Sequence, residues 1–328
     1  MLEALRRADG GRCSGEILSA AQGVSRAQVW KHIESLRRRG YEIDASPGAG
    51  YRLLRSPDRL YPEEILAGLE TRWLAREIHY FESVDSTNRV ALDLARAGAA
   101  HGTSVIAEAQ TAGRGRLGRS FFSPPHQNLY TSILLRPSLT TDRAPAWILA
   151  TASAVAEAVA EAVGDPDGSA VEIKWPNDVL LGGRKTSGIL LELGAEATRV
   201  SFLVLGIGVN LNVDPAHFPA EFRSLATSLA HHRGEPIDRA HFTRRLYGWL
   251  ERTLDLCAAG GFEAVRPRFE RRFRMAGRAV RVRDAQGAEL AGVARGIDED
   301  GALLVETRSG EVARVIAGDV SLAKEGGV

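Results

Sequence analysis

The sequence predicts a three-domain α+β protein: a small helical domain, a larger central α/β domain and a small all-β domain. Three observations lead to this prediction. A helix-turn-helix pattern with two short strands opens the chain, strands mostly follow strands in the centre, and short strands with turn residues between them close it. The predicted domains cover residues 1–56, 57–274 and 275–328. The chain length of 328 residues also favours two or three domains.

The N-terminal segment fits a winged helix-turn-helix domain. Two helical segments are predicted, and in the second Val29, Ile33 and Leu36 fall on one face. The segment YEIDASPGAGYRLL then predicts a strand, a turn and a strand. Residues 1–55 hold ten Lys and Arg against six Asp and Glu, whereas the net charge of the chain is +1, so any nucleic-acid surface is local. The residues expected to contact DNA begin the second helix, which Ser25 can cap: Ser25, Arg26, Gln28 and Lys31.

The central region carries five apolar strand segments, TSVIAEA, NLYTSILL, VEIKWPNDVLL, GILLEL and VSFLVLGIGVNLN, and two predicted helices at 87–97 and 144–163. Because strands mostly follow strands, we expect a mixed or antiparallel sheet. The second helix is long and apolar, but it contains Pro145, Glu157 and Glu161. We therefore expect a buried core helix and no membrane span.

The final segment predicts a small β-barrel. Its strands are RAVRVRD, AELAGVARGID, GALLVET and EVARVIAGDV. Three residue pairs typical of hairpin turns separate them: Gln286-Gly287, Asp300-Gly301 and Ser309-Gly310.

The composition is that of a soluble globular protein, with 25% charged and 44% hydrophobic residues. The two cysteines, Cys13 and Cys257, form neither a metal-binding spacing nor a disulfide framework. The charged N-terminus lacks a secretory apolar core. These features lead us to expect a cytoplasmic protein with reduced thiols.

The segment GRGRLG at 113–118 fits the G-x-G-x-x-G pattern of dinucleotide-binding and kinase loops. A dinucleotide site needs a helix directly after the glycines, but FFSPPHQN follows here, and the kinase and P-loop motifs are absent from the sequence. Glycines that let backbone N–H groups approach closely, together with Arg114 and Arg116, still indicate anion binding. Taken alone, the stretch could equally be a solvated basic loop or an unspecific nucleic-acid patch.

Three other segments could contact a ligand. The hydroxyls of DSTN at 85–88 stand at a strand-to-helix junction, where they either cap the helix or bind a polar ligand head. In KWPNDVLLGGRKTSGIL at 174–190, Pro176 is expected to bend a strand, and Lys185 follows a turn, where a lysine is usually only solvated. The glycines of GIGVN at 206–210 let a ligand lie against the backbone or merely bend the strand.

In this order, the motifs resemble those of the biotin–protein ligase family in its bifunctional form, in which the ligase also represses biotin biosynthesis genes. The set is STN, Q-x-A-GRGRxGR, KWPND, RK-x-x-GIL and GxGxN, and it is more specific than any one member. The resemblance spans the chain and implies an SH3-like barrel at the C-terminus. It also implies the reaction: biotin and ATP give biotinyl-5′-AMP and pyrophosphate. Biotin then passes to one lysine of the biotin carboxyl carrier protein of acetyl-CoA carboxylase.

The resemblance implies a role for each matching residue. The positions implied to bind biotin are Ser86, Thr87, Asn88, Gln110, Arg114, Arg116, Lys185, Gly188 and Gly206. The positions implied to bind the nucleotide are Gly113, Gly115, Gly118, Phe121, Lys174, Asn177 and Asn210. Donors and acceptors at the first set suit a ureido head group. The arginines lie in a loop that closes over biotin and the adenylate, and Arg116 also retains the reactive intermediate.

Three residues are implied to be catalytic: Lys185, Arg116 and Asp178. The Lys185 ammonium neutralises the biotin carboxylate and the α-phosphate and stabilises charge as pyrophosphate leaves. Asp178 either coordinates Mg²⁺ or activates the acceptor lysine. No covalent enzyme intermediate is required.

The sequence departs from the family pattern at three positions. Leu117 stands where some members carry a third arginine, and Phe121 stands where an adenine-stacking tryptophan can occur. Near the C-terminus Ala323 replaces a frequent arginine, which puts a phosphate contact from the barrel in doubt.

Several alternatives remain open on sequence grounds. The N-terminal domain could make protein contacts, leaving a ligase that represses nothing, or the enzyme could transfer lipoate or an octanoyl chain. A sensor–repressor without enzymatic activity is a further alternative. The family also implies a homodimer when the adenylate is bound, and exposed sheet edges could pair.

Overall fold

The computed structural model describes residues 1–46, 48–284 and 286–322. The chain forms two compact units, one over residues 1–59 and one from residue 60 onward. The departure at Ala323 lies outside the described residues.

The first unit is a helical domain with a β-hairpin, as the sequence predicts. Its elements are α1 (Leu2–Arg7), α2 (Gly15–Gln22), α3 (Arg26–Arg38), β1 (Glu42–Ser46) and β2 (Gly50–Arg55). The predicted apolar face of α3 is buried, and β1 pairs antiparallel with β2. Ser25 caps α3, as predicted: its hydroxyl accepts from the Gln28 backbone at 3.3 Å, and Gln28 Oε1 accepts from the Ser25 backbone at 2.8 Å.

The second unit contains a seven-stranded sheet. Its strands are β3 (Ile78–Phe81), β4 (Ser104–Ala107), β5 (Leu129–Leu135), β6 (Val171–Lys174), β7 (Asp178–Leu181), β8 (Arg184–Glu196) and β9 (Arg199–Val209). The strand order is β3-β4-β5-β9-β8-β7-β6. The pair β3/β4 is parallel and the other neighbours are antiparallel, so the prediction of a mixed sheet is confirmed.

Six helices accompany this sheet in the described part of the unit: α4 (Pro62–Leu66), α5 (Thr87–Arg96), α6 (Ala144–Val163), α7 (Leu229–Arg233), α8 (Arg239–Gly260) and α9 (Arg266–Arg272). The predictions of α5 and α6 are confirmed. The predicted burial of α6 is also confirmed: within the described residues, this helix with its preceding turn is the one segment long and apolar enough to cross a membrane, and most of it is buried inside the protein.

The sheet is covered on both faces, and its side chains alternate between them. Leu203, Leu205 and Ile207 of β9 belong to the large core that contains α6 and α8. Val204 instead packs with Ala91 and other residues of α5. The even-numbered positions that follow Val204 in β9 are glycines, and they lie on this α5 face just beyond the helix.

The KWPND segment forms a tight hairpin. Trp175, Pro176 and Asn177 make the turn between β6 and β7, and Lys174 pairs with Asp178 across it. The prediction that Pro176 bends a single strand is therefore wrong. Proline has no N–H for a sheet hydrogen bond, and here it ends one strand so that the next can begin. A second hairpin at Gly182-Gly183 joins β7 to β8, as predicted.

The C-terminal part of the unit is a five-stranded antiparallel sheet. Its strands are β10 (Ala279–Arg283), β11 (Glu289–Ile297), β12 (Leu303–Thr307), β13 (Val312–Val315) and β14 (Asp319–Leu322), in the order β13-β12-β11-β10-β14. The segment predicted as one strand, EVARVIAGDV, is divided between β13 and β14. This sheet contacts the central domain directly, because Trp175 Nε1 donates to the Gly301 carbonyl at 3.0 Å.

A fully buried ion pair joins the residue that follows β4 to the first residue of α8. Glu108 Oε2 lies 2.8 Å from Arg239 Nη1, and both side chains have no exposed surface. Glu108 Oε1 accepts from the Leu60 amide at 2.8 Å. Burial alone would raise the pKa of Glu108, but the charge of Arg239 and the Leu60 hydrogen bond lower it.

Candidate functional site

A cavity of about 720 Å³ lies on the α5 face of the sheet, at the glycines of β8 and β9. This volume is typical of a small-molecule site. The predicted residues that line it are Ser86, Thr87, Asn88, Gln110, Arg114, Gly115, Arg116, Phe121, Lys174, Asn177, Asp178, Lys185, Gly188, Gly206 and Asn210. Gly113 and Gly118 do not line the cavity. The structure therefore brings together residues that lie more than a hundred positions apart in the chain.

The floor of the cavity depends on glycine. A Cβ atom on Gly206 would lie 2.0 Å from Asn88 Oδ1, and one on Gly208 would lie 2.5 Å from Phe121 Cε1. Both distances are far inside van der Waals contact. Any side chain at either position would displace a neighbour or fill the cavity.

One end of the cavity is lined by amides and hydroxyls at the start of α5. Gln110 Oε1 accepts from the Thr87 backbone at 2.9 Å and from the Thr87 hydroxyl at 3.2 Å. The Ser132 hydroxyl lies 2.6 Å from Asn88 Oδ1 and 2.8 Å from Thr87 Oγ1. Ser132 has one proton for these two acceptors. This acceptor-rich end therefore suits a ligand that brings its own N–H donors.

Ser86 occupies the N-cap position of α5, but its side chain makes no capping hydrogen bond. The residue is buried and lines the cavity. Helix capping, the alternative considered for this hydroxyl, is thus not its role in the structure. The Ser86 side chain is available at the acceptor-rich end.

The other end of the cavity carries charged side chains from the hairpins around β7. Lys185 Nζ lies 2.6 Å from Asp178 Oδ1, and Lys174 Nζ lies 3.9 Å from Asp178 Oδ2. Asp178 Oδ1 is buried and is paired with the Lys185 ammonium. Two ammonium groups beside one carboxylate leave a net positive charge, which favours an anionic ligand.

The glycine loop folds back on itself as a small hairpin over this end. The Phe121 amide donates to the Gly113 carbonyl at 2.9 Å, and the Gly115 amide donates to the Arg119 carbonyl at 2.7 Å. Gly113 thus closes the base of the hairpin. Gly118 has a φ of 73° in the tight turn at its tip, a backbone conformation that glycine adopts without strain.

Arg116 ties the loop to two other parts of the unit. Its guanidinium donates to Asn177 Oδ1 at 2.9 Å and to the Gly318 carbonyl at 3.1 Å. Burial lowers the pKa of Arg116, although Asp178 and Asp319 oppose the shift, and a guanidinium remains charged at neutral pH. The loop is therefore held by both the KWPND hairpin and the C-terminal sheet.

A neighbouring ion pair, which the sequence did not reveal, strengthens this attachment. Arg119 of the loop pairs with Asp319 at the start of β14. Burial opposes ionisation of Asp319, yet the hydrogen bond and charge of Arg119 lower its pKa. The two residues lie 200 positions apart, so sequence spacing gave no signal for the contact.

Phe121 covers part of the cavity floor. Its ring is in edge contact with Tyr130, with centroids 6.4 Å apart, and lies against Gly208. An aromatic side chain is thus present where stacking on an adenine was predicted.

In the first unit, the predicted DNA-contacting residues are all exposed at the start of α3. Ser25 and Gln28 each use their side-chain oxygen in the capping box, which leaves the Gln28 amide N–H groups for other contacts. Arg26 and Lys31 carry the positive charge. Trp30, which the sequence reasoning missed, is 56% exposed beside them. Its exposure is not readable from helical periodicity.

A winged helix-turn-helix unit, and a ligand cavity with an acceptor-rich end and a cationic end, together define an acyl–protein ligase joined to a DNA-binding domain. Family models agree with this class. The biotin/lipoate A/B protein ligase family matches residues 80–210, the biotin protein ligase C-terminal domain matches residues 276–323, and a helix-turn-helix domain matches residues 1–52.

Individual relatives extend this match over the whole chain. The sequence is 38% identical to the bifunctional ligase/repressor BirA of Bacillus subtilis over 98% of this chain and 97% of that protein. It is 33% identical to BirA of Escherichia coli over 94% of this chain and 92% of that protein. The structure resembles the biotin protein ligase of Aquifex aeolicus in complex with biotin and ATP, with a TM-score of 0.65 and 28% identity over 76% of this chain and 99% of that chain. The chain belongs to the biotin–protein ligase family, in its bifunctional ligase/repressor group.

Proposed function

We infer that this protein is a bifunctional biotin–protein ligase and repressor. It joins biotin to ATP as biotinyl-5′-AMP, transfers biotin to a lysine of the biotin carboxyl carrier protein, and binds operator DNA through its first unit. The inference rests on a single cavity with two chemically different ends. At the acceptor-rich end Ser86 is only 3% exposed, and the other end holds the Lys185–Asp178 pair.

At the acceptor-rich end, the ureido head of biotin donates its two N–H groups. Thr87 Oγ1 and Asn88 Oδ1 are the available acceptors, and the single proton of Ser132 cannot satisfy both. Gln110 Oε1 already accepts two hydrogen bonds from Thr87. An octanoyl chain brings no donor, and a dithiolane ring brings none either. The proton count therefore favours biotin over the acyl groups of the sister ligases.

At the cationic end, an oxygen of the biotin carboxylate attacks the α-phosphorus of ATP, and the bond to pyrophosphate breaks. Lys185 neutralises the two anionic reactants as they approach and the charge that develops on the α-phosphate. Lys174, on the other side of Asp178, binds the departing phosphates. Arg116, held by Asn177 and the Gly318 carbonyl, keeps the adenylate under the loop.

In the second step, the amine of the carrier lysine attacks the acyl carbon of the adenylate, AMP leaves, and the amine loses a proton. Asp178 is the carboxylate of the cavity closest to Lys185, and we assign it the orientation of the incoming ammonium and the acceptance of its proton.

Mg²⁺ accompanies the nucleotide. The residues present fit this ion, because Asp178 supplies a carboxylate at the cationic end of the cavity. Mg²⁺ in nucleotide sites is bound through one or two carboxylates together with substrate phosphates, so Asp178 would hold it with the phosphates of ATP. When bound, the ion neutralises phosphate charge.

The first unit binds DNA through the start of α3. Arg26 and Lys31 contact backbone phosphates, and the free side-chain donors of Gln28 reach base edges. Ser25 contributes through its hydroxyl proton, because its oxygen lone pair already caps the helix. A repressor of this kind reads a two-fold site, and we propose that it dimerises when the adenylate is bound. Two unpaired, buried cysteine thiols fit a cytoplasmic location.

A carrier-labelling assay tests the enzymatic part of the proposal. The full-length protein is mixed with biotin, MgATP and a biotin-accepting carrier domain, and biotin on the carrier is detected by mass. Labelling that the Lys185→Ala variant lacks would support the proposal. Transfer of lipoate or octanoate without biotin would assign the chain to a sister ligase, and absence of any transfer would leave a sensor–repressor.

Sedimentation of the protein with and without biotin and ATP tests the dimer. A shift from monomer to dimer on addition of both substrates is the expected result, and an unchanged mass would contradict it.

A further inference from the structure

Glu192 uses its two carboxylate oxygens to contact two different parts of the cavity wall. The residue lies in β8, opposite Val204 of β9. Its Oε2 accepts from Asn88 Nδ2 at 2.9 Å, and its Oε1 lies 3.4 Å from Arg114 Nη1. Asn88 belongs to the acceptor-rich end, whereas Arg114 belongs to the glycine loop. One side chain thus joins the two.

The contact with Asn88 fixes the orientation of that amide. A carboxylate only accepts hydrogen bonds, so the NH₂ group of Asn88 must face Glu192 and its oxygen must face Ser132. The Asn88 amide packs so closely on Gly206 that even a Cβ atom there would clash with Asn88 Oδ1. The amide therefore has little room to move toward the strand. Glu192, together with the Leu190 carbonyl 3.4 Å from the same Nδ2, thus holds Asn88 with its acceptor toward the cavity, and the Glu192 contact is the shorter of the two.

The contact with Arg114 is different in kind. Arg114 is 54% exposed and the pair is 3.4 Å apart, so taken alone it contributes little to stability. Its significance is that the same carboxylate holds Asn88. Any movement of Asn88 on ligand binding would move its partner Glu192, and with it the acid that faces Arg114.

We propose that Glu192 is a positioning residue that couples occupation of the acceptor-rich end to closure of the glycine loop. The proposal rests on the proposed function, since it concerns biotin and its adenylate. The coupling is reciprocal: the ligand head favours the closed loop, and the closed loop retains the ligand. Biotin affinity and adenylate retention should therefore depend on Glu192, whereas ATP binding at the cationic end should not.

The test is Glu192→Gln in the full-length protein. The amide keeps the size of the side chain but turns an NH₂ group toward either Asn88 or Arg114, both of which are donors. We expect the KM for biotin to rise and the adenylate to dissociate about tenfold faster, within the usual range of coupling between sites. The KM for ATP should change less than about twofold, a split that general destabilisation would not produce.

Two further variants make the test specific. Glu196→Gln removes the same charge from an exposed position on the same strand and should leave all three constants unchanged. Arg114→Gln alone should also speed adenylate dissociation, and the double variant with Glu192→Gln should dissociate the adenylate more slowly than the product of the two single effects, because both changes break the same link. Glu192→Asp, with a carboxylate retained, should recover part of the effect.

The outcomes separate cleanly. Additive effects of the Glu192 and Arg114 changes, or equal losses in the KM for biotin and for ATP, would overturn the coupling while leaving the ligase function intact. Absence of carrier labelling by the unmodified protein would instead contradict the proposed function itself.

Discussion

The Lys185 ammonium and the Asp178 carboxylate meet across the β7–β8 hairpin, with Nζ 2.6 Å from Oδ1. The register of this hairpin shifts between Val179 and Leu180. Such a bulge rotates the side chains that follow it and redirects them relative to the sheet. The hairpin therefore places a lysine that sequence reasoning would leave in solvent against an acid inside the cavity.

Replacement of Lys185 by methionine should slow adenylate formation strongly but leave folding unchanged. Methionine is also unbranched and only one atom shorter, but it lacks the charge that stabilises the transferring phosphate, so kcat should fall by roughly 10²–10³. Biotin-dependent release of pyrophosphate measures this step. Arg184→Met removes the adjacent positive charge outside the cavity lining and is the matched control. An equal fall in kcat in both variants would mean that the overall positive charge of this region, and not Lys185 in particular, accelerates the reaction.

Replacement of Arg116 by glycine should release the adenylate into solution. Its bonds to Asn177 and the Gly318 carbonyl hold the loop closed, and losing both should speed dissociation by about tenfold or more, at roughly 1 kcal/mol for each bond. Non-specific lysine labelling of a bystander protein reports the escape by mass spectrometry. Arg308→Gly, in an exposed turn, should cause none. A dissociation rate that Arg116→Gly leaves unchanged would rule out the retaining role.

Replacement of Glu108 by glutamine should destabilise the second unit. Arg239 would stay buried after losing its 2.8 Å ion pair with Glu108, at a cost of about 3–5 kcal/mol. The pKa of Glu108 is lowered in the folded state, so its contribution to the free energy of unfolding is fully present above its ordinary pKa of 4.5 and is lost as the pH falls through the folded value.

Urea denaturation of both proteins at several pH values checks this prediction. The difference in stability should be constant near neutral pH and should shrink only in acid well below pH 4.5. If the difference in unfolding free energy between the two proteins already vanished at pH 6, the Glu108–Arg239 ion pair would not be its cause.

Replacement of Lys31 by alanine should weaken DNA binding and leave carrier labelling unchanged. Loss of one phosphate contact lowers affinity across sequences and reduces the slope of log K against log salt by about 1. Fluorescence anisotropy with promoter DNA at several salt concentrations measures both quantities. Glu16→Ala, on α2, is a control that alters local charge in the opposite sense. An unchanged slope would remove Lys31 from the phosphate contacts.

Sequence patterns predicted the fold where a local signal existed. The helix cap at Ser25, the mixed sheet and the Ala-rich α6 all followed from residue type and spacing. The helix α8 carries a comparable signal that we did not use: Asp238 caps it, and Phe242, Leu246 and Leu250 recur every four residues. Its many polar residues and Gly248 obscured that pattern.

The parts of the site that were missed depend on tertiary contacts. Asp319 matters because β14 lies beside the loop that contains Arg119, and Glu192 matters because β8 passes beneath Asn88. An isolated acid in a strand gives no sign of either neighbour. The turn at Pro176 was misjudged because proline ends a strand as readily as it bends one.

Because side chains alternate along β9, one face of this strand contributes to the core and the other face forms the floor of the cavity. Leu203, Leu205 and Ile207 fill the core, while Gly206 and Gly208 keep the cavity open. Inserting or deleting one residue here would exchange the two sets, placing bulk in the cavity and gaps in the core. A change of two residues would restore parity. Substitutions within β9 can therefore be tolerated, whereas a one-residue insertion or deletion would damage the cavity and the core at the same time.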